Sequence, residues 1–173
     1  KNRDRIQISS IASLDEYGES FKKKDGFAYS SNLSSNSYQI GNSINYSRNW
    51  KLGGITRVLF SQSIFKPKEA FTSTFSDSNN GSNTYSSIRE NGIDEYQLRF
   101  EHSLSATPRN QLDFSAAFIR NHSNFNSIEG SSTLKNFDIT INRFSFYVKD
   151  QLTLWNRLYV QFGLKGDVLI TQL

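Results

Sequence analysis

The sequence predicts an all-β chain: an antiparallel, up-and-down array of about seven long strands of the transmembrane β-barrel kind. Three observations point there. Apolar residues recur at every second position in run after run, the connections between the runs alternate short and long, and no stretch has the 3.6-residue periodicity of an amphipathic helix. Composition agrees, because only 36% of the 173 residues are hydrophobic, yet 14% are aromatic, with fourteen Phe and eight Tyr among abundant Ser and Asn. Mean hydropathy is −0.57. No apolar run nears the roughly 20 residues of a membrane helix, so a membrane-spanning version of this chain must be a closed barrel of strands.

The strands are expected near residues 4 to 14, 36 to 47, 52 to 66, 93 to 104, 111 to 121, 142 to 152 and 158 to 170. In the first, Ile6 and Ile8 take even positions; in the second, Tyr38, Ile40, Ile44 and Tyr46; in the third, Val58, Phe60 and Ile64. Tyr96, Leu98 and Phe100 continue the pattern, followed by Leu112, Phe114 and Phe118, then Phe144, Phe146 and Val148. The seventh is the cleanest, with Leu158, Val160, Phe162 and Leu164 even and Tyr159, Gln161, Gly163 and Lys165 odd. Because strand side chains alternate faces, the even face is predicted to meet lipid. The odd face carries Gln39, Ser43, Asn45, Arg57, Glu95, Gln97, Arg99, Glu101, Gln111, Asp113, Arg143 and Lys149, which suits a wet lumen where opposite charges pair. The third strand is least regular, since Ile55, Leu59 and Phe65 take the polar parity; this predicts a contact inside the barrel or a register-resetting bulge.

Short polar turns are expected at residues 48–51, 105–110 and 153–157, and long loops from Asp15 to Ser35, Pro67 to Gly92 and His122 to about Ile141. Outer-membrane barrels have this rhythm. Folding the last hairpin around Trp155 predicts Val148 near Phe162 and Phe146 near Leu164. Folding the second and third strands around Asn49 predicts Ile40 near Val58 and Tyr38 near Phe60. Seven is an odd count that leaves an edge open, so residues 1–173 are expected to be one partial barrel domain, a piece of a larger barrel with no plug domain in this chain.

Cysteine is absent, which excludes a disulfide framework, a thiol nucleophile and Cys-based metal sites. The net charge of +4 comes from scattered bases, with Lys22, Lys23 and Lys24 the one run, so no basic stripe marks a nucleic-acid partner. Asp94 and His122 are the pair whose chemistry suits an Asp-oriented general base, but both take the apolar parity, so no catalytic residue and no enzymatic activity is expected. Two isolated histidines predict no transition-metal site, and Asp15, Glu16 and Glu19 lack EF-hand order. No cofactor is expected. Lys22, Lys23, Lys24, Tyr85 and Arg89 are the candidate ligand contacts within the expected loops. Trp50 and Trp155, in short turns, and His102 suit an interfacial aromatic girdle.

The stretch from Phe144 through Tyr147-Val148-Lys149-Asp150 to Arg157-Leu158, followed by Gly163-Leu164-Lys165-Gly166-Asp167, resembles the barrel hairpins of TonB-dependent outer-membrane receptors. Lys165 stands where that pattern usually has Arg, and Gly166 where an aromatic is common. Residues 91–104, leading to Asn110-Gln111-Leu112-Asp113-Phe114, are similar to the SusC-related receptors of Bacteroidetes. The resemblance covers mainly residues 91–170. It implies a 22-stranded barrel in the bacterial outer membrane that imports a bulky nutrient of the siderophore, glycan or peptide class. It also implies contact with outer-membrane lipid and lipopolysaccharide, a SusD-like lipoprotein, and the TonB complex through a part of the protein that this chain lacks. Two other readings stand beside it: a smaller outer-membrane barrel acting as pore, adhesin or enzyme, and a soluble β-sandwich binding module, which would be monomeric in water without detergent.

Overall fold

Alternation sustained over many residues has one backbone solution, the extended strand, and every part of this chain that alternates takes it. A computed structural model describes residues 3–25, 27–51, 53–77, 81–107, 109–154 and 158–172, with side chains left undescribed at 24, 25, 27, 77 and 106. The elements are β1 (Arg3–Asp25), β2 (Phe27–Asn49), β3 (Gly54–Asp77), β4 (Gly81–Thr107), β5 (Asn110–Glu129), β6 (Ser132–Leu154) and β7 (Leu158–Gln172). Each strand pairs antiparallel with the next in one seven-stranded sheet of order β1-β2-β3-β4-β5-β6-β7. The described residues form no second sheet, which corrects the sandwich alternative. β1 and β7 are its two edges and do not pair with each other.

The three connections expected to be long loops are strands instead. β1 continues to Asp25 and β2 begins at Phe27, β3 and β4 leave only residues 78–80 between them, and β5 and β6 are separated by Gly130 and Ser131. The reason lies in parity. In these segments the aromatic residues move to odd positions, as Tyr17, Phe21, Tyr29, Phe71, Phe75, Tyr85, Phe125 and Phe137, joined by Leu33, while Ser, Thr, Asn and charged residues fill most of the even ones, apart from Ile88, Ile128 and Leu134. Alternation therefore persists, with its faces exchanged. Polar pairs across the strands add to it: Lys68 Nζ lies 2.6 Å from Glu90 Oε1, and the Thr74 and Thr84 hydroxyls are 3.3 Å apart. At about 3.3 Å per residue, the 23 residues of β2 reach on the order of 75 Å, far more than a bilayer core of ~30 Å.

The turns follow from glycine where the backbone must adopt φ > 0. Gly53 (φ 83°) closes the β2–β3 turn, in which the Trp50 N–H donates to the Gly54 carbonyl at 2.8 Å. Gly130 (φ 60°) opens the two-residue β5–β6 turn, and its N–H donates to the Ser86 carbonyl at 2.8 Å. The pivot residues at 52 and 155–157 lie outside the described ones, Trp155 among them.

Register preserves face throughout. Even residues oppose even residues along every strand pair, apart from shifts between Ser105 and Thr107 and between Ser127 and Ile128, both beside turns. β3 holds one register with β4 from Gly54 to Phe65 and resumes it at Lys68 beyond Pro67, so the irregular parity of Ile55, Leu59 and Phe65 is not a bulge. Two expected pairings are corrected. Val148 opposes Leu164 and Phe146 opposes Gly166; Ile40 opposes Ile64 and Tyr38 opposes Lys66. β2 runs on to Asn49, where Asn49 opposes Ile55, and in the last hairpin Leu154 opposes Leu158. Both slips are by an even number of residues, so every side chain keeps its face.

Among the described residues, Ile119 is the one buried apolar side chain. Ile8 is 73% exposed, Leu164 76% and Phe162 63%. A single sheet has no partner layer to bury a face against, so whatever covers these side chains lies outside the chain.

The lipid-parity glycine Gly166 shows how closely that face is dressed. A methyl group placed there would meet the Phe146 ring, which lies over the glycine from the opposing position. Gly166→Ala should push the ring outward and lower stability by about 1 kcal/mol, read from the urea midpoint of the folded protein. An unchanged midpoint would show that the ring contributes nothing as a cover.

Candidate functional site

Three surfaces have a chemical character of their own. The first is the even-face apolar band. The predicted lipid-contact residues Ile40, Ile44, Val58, Phe60, Tyr96, Leu98, Phe100, Phe114, Phe118, Phe146, Val148, Val160, Phe162 and Leu164 all stand on this one face. The Phe118 and Phe144 rings pack 4.8 Å apart across β5 and β6. The band does not follow the hydrogen-bonded rows. One row runs Ser10, Asn42, Gln62, Tyr96, Arg120, Asn142, Ile170. Ser10 and Asn42 lie mid-band, between Ile8 and Ala12 and between Ile40 and Ile44, whereas Arg120 and Asn142 lie beyond the ends of theirs, Phe118 and Phe144.

At the short-turn end the band meets a polar and aromatic rim. Trp50 Nε1–H donates to Thr56 Oγ1 at 2.8 Å, and Thr56 Oγ1 lies 2.9 Å from His102 Nδ1. The Arg48 guanidinium sits 4.3 Å from the Trp50 ring centre, and Asp4 takes a 2.8 Å hydrogen bond from the Tyr46 hydroxyl. Replacing Trp50 with Leu removes a donor and a cation–π partner together, and should cost about 1 kcal/mol in urea denaturation.

The second surface is the odd face over the same span. Arg57 Nη1 lies 3.8 Å from Glu101 Oε2 on the neighbouring strand. Asp113 gathers three donors: Ser103 Oγ at 2.6 Å, Gln111 Nε2 at 2.9 Å and Lys149 Nζ at 2.8 Å. Cross-strand charge pairing on this face is thus as expected from sequence.

The third surface was not visible as a surface in the sequence: the odd face of the long hairpins. Phe21 and Tyr29 approach to 6.2 Å between ring centres, as do Phe71 and Tyr85, and Phe125 and Phe137 stack at 5.4 Å. Tyr29 opposes Phe75 in register. Leu33, Glu69, Phe71, Tyr85, Ser87 and Arg89 enclose an open recess of about 270 Å³. A hydrogen bond to Glu129 holds the Tyr85 phenol above its ordinary pKa, and one to Glu19 at 3.0 Å does the same for Tyr17. The signal that could have revealed this surface was the exchange of apolar parity between the two halves of each strand.

The predicted ligand contacts divide between the faces. Tyr85 and Arg89 both line the recess. Lys23 shares their odd face, opposite Tyr29, while Lys22 stands on the even face opposite Ser30. Lys24 pairs through its backbone with Ala28, and its side chain lies outside the described ones. All five are strand residues, not loop residues.

Asp94 does oppose His122 in register, yet the His122 ring turns the other way. Its Nδ1 lies 3.1 Å from Thr140 Oγ1 and 3.3 Å from Asp138 Oδ1. In a nucleophile–base–acid relay the hydroxyl and the carboxylate bond opposite ring nitrogens; here both sit at one nitrogen, and the geometry is not a relay. No cluster of three or more metal-ligating side chains occurs among the described residues.

No family model and no curated protein matches the chain. Among solved structures it is similar to the siderophore receptor PirA from Pseudomonas aeruginosa, with 14% identity and a TM-score of 0.35. It is also similar to CdiB from Acinetobacter baumannii, with 8% identity and a TM-score of 0.32. Both alignments cover 97% of this chain, which spans 37% and 38% of the length of those two proteins.

Proposed function

We propose that this chain is wall of an outer-membrane β-barrel, and that the barrel is a TonB-dependent receptor importing a bulky nutrient. The observation that carries the first part is the exposed even-face band running through all seven strands. In water a fully uncovered Leu, Ile or Phe forgoes about 1.5–3 kcal/mol of burial, and this face holds more than a dozen such residues that are between 36% and 76% exposed, each forgoing a share of it. A bilayer covers them all at once.

The slant of the band supports the same reading. Strands about 4.8 Å apart and tilted by roughly 35–45° lose about one residue of level per strand, so a horizontal membrane slab cuts the register diagonally. The rows do this from β1 to β5, with the apolar stretch centred on Ser10 in β1 and ending at Phe118 in β5, while in β7 it runs on through Val168 to Ile170. Opposite the band, the charged odd face suits a water-filled interior.

Support for the finer reading is the resemblance of residues 144–167 to receptor hairpins. In that role the rigid strands form wall and rim, no side chain performs covalent chemistry, and lipopolysaccharide, a SusD-like lipoprotein and the TonB complex are the expected partners of the whole protein.

These 173 residues contain no cysteine, so a single cysteine introduced among them is the one thiol of this segment. Spin labels on Leu98→Cys and Phe60→Cys, in the full protein in outer-membrane vesicles, should be reached by a lipid-dissolved quencher. Labels on Arg99→Cys and Ser115→Cys should be reached by a water-soluble one. Equal aqueous access on both faces would rule out the barrel.

A further inference from the structure

We propose that a recess on the odd face of β4 to β7 is a binding site for a phosphoryl group, as inorganic phosphate or a phosphate ester; this rests on the barrel reading above, which makes the odd face the wall of a water-filled lumen. The recess is open and has a volume of about 390 Å³. Its floor is one row of the sheet, in which Arg99 opposes Ala117, Ala117 opposes Ser145 and Ser145 opposes Asp167. The two central residues are small, so the row is high at its ends and low in the middle. Arg143 stands two residues from Ser145 along β6 and Lys165 two from Asp167 along β7, and two-residue steps keep both on the odd face. Three cationic arms from three strands therefore border one hollow.

Charge sets this hollow apart from the rest of the face. Elsewhere acids and bases match, since Arg57 opposes Glu101, Arg89 opposes Glu69 and Lys149 opposes Asp113. Here three bases meet one carboxylate. Asp167 is held by Lys165, whose Nζ lies 3.1 Å from its Oδ2, and by the Ser145 hydroxyl, which donates to it. Arg99 reaches Glu101 only at 3.8 Å, and Glu101 is equally far from Arg57. Arg143 is in no ion pair among the described residues. It opposes Ile119, the buried apolar side chain, so one flank of the hollow is apolar and screens a charge contact less than open water does.

Asp167 already displays the chemistry with an oxyanion of the chain itself, which takes an ammonium and a hydroxyl. The two guanidinium groups remain, each a planar fork suited to a pair of oxygens. A phosphoryl group offers three oxygens to arms arriving from three sides. A carboxylate offers two along a single edge, and a neutral solute would leave the surplus positive charge uncompensated.

The test is calorimetric titration of the full protein in detergent and dilute phosphate-free buffer with inorganic phosphate, with glycerophosphate, and with succinate as the carboxylate comparison. Both phosphoryl compounds should bind ahead of succinate, and the tighter of the two identifies the source. Arg99→Gln and Arg143→Gln should each weaken binding about tenfold, and Arg143→Lys should weaken it less. Asp167→Asn removes the competing carboxylate and should tighten binding, a result that a merely structural Asp167 would not give. Arg120→Gln, on the even face, should leave affinity unchanged. Heat-modifiable gel migration confirms that each variant still folds. No phosphate binding, a preference for succinate, or indifference to both arginine replacements would overturn the proposal and leave an adventitious ion only. A protein that passes the quencher experiment and gives one of those results keeps the barrel and loses the site.

Discussion

Leu98→Arg should prevent the protein from assembling stably in the outer membrane. Leu98 is 50% exposed and stands between Phe60 and Phe118 in its row, well inside the apolar band. In a soluble sheet a half-exposed position accepts Arg at little cost, within about 0.5 kcal/mol. In a bilayer the same substitution places a guanidinium in hydrocarbon and costs about 2–4 kcal/mol near the midplane. The sign of the experiment therefore distinguishes the two environments. Ser115→Arg provides the contrast, because Ser115 opposes Glu101 and Tyr147 on the charged face and should tolerate the substitution. The measurement is the urea midpoint of the protein refolded in liposomes, together with the fraction migrating as folded barrel in unboiled samples. A Leu98→Arg protein as stable as its parent would mean that no lipid meets this face.

Asp113→Leu should produce a large loss on the charged odd face. The carboxylate accepts from Ser103, Gln111 and Lys149, and the Asp113 and Lys149 side chains are only 20% and 21% exposed. Removing the acceptor takes a partner from the Lys149 ammonium and the Ser103 hydroxyl, while the Gln111 amide keeps Ser103 Oγ at 3.1 Å, and the loss costs roughly 1–3 kcal/mol. Combining it with Lys149→Met should restore part of that loss, since the stranded charge goes as well. A double-mutant cycle in urea should return a coupling of at least about 0.5 kcal/mol. Strict additivity would mean that water already satisfies Lys149 and that the ion pair contributes nothing.

Much of the candidate surface was legible and much was not, for reasons that can be located. The lipid-parity residues from Ile40 to Leu164 share a face because parity survives any even slip of register, and so it survived the misplaced hairpin pivots at Asn49 and Trp155. The charged pair of Arg57 and Glu101 followed from the same rule. Tyr85 and Arg89 stood out as residues, but the wall that joins them to Leu33, Glu69 and Phe71 did not, because those residues come from three strands. The long hairpins were read as loops since their Ser and Asn content matches loop composition, and composition says nothing about which parity the remaining aromatics occupy.

The sequence by itself determined the fold class, the number of strands, their order of succession and the two faces of the half nearest the short turns, all of which depend on period-2 alternation and on where short turns fall. Tertiary structure alone decided how far the strands extend, the pairing partners within each face, and the gathering of aromatic rings on one side of the hairpins. The physical reason is one of range. Alternation is local, repeating every two residues, and is visible in any short window of sequence. Register joins residues as far apart as Phe21 and Ser31 or Glu69 and Arg89, and it is settled only when all the backbone N–H and C=O groups of neighbouring strands find partners together.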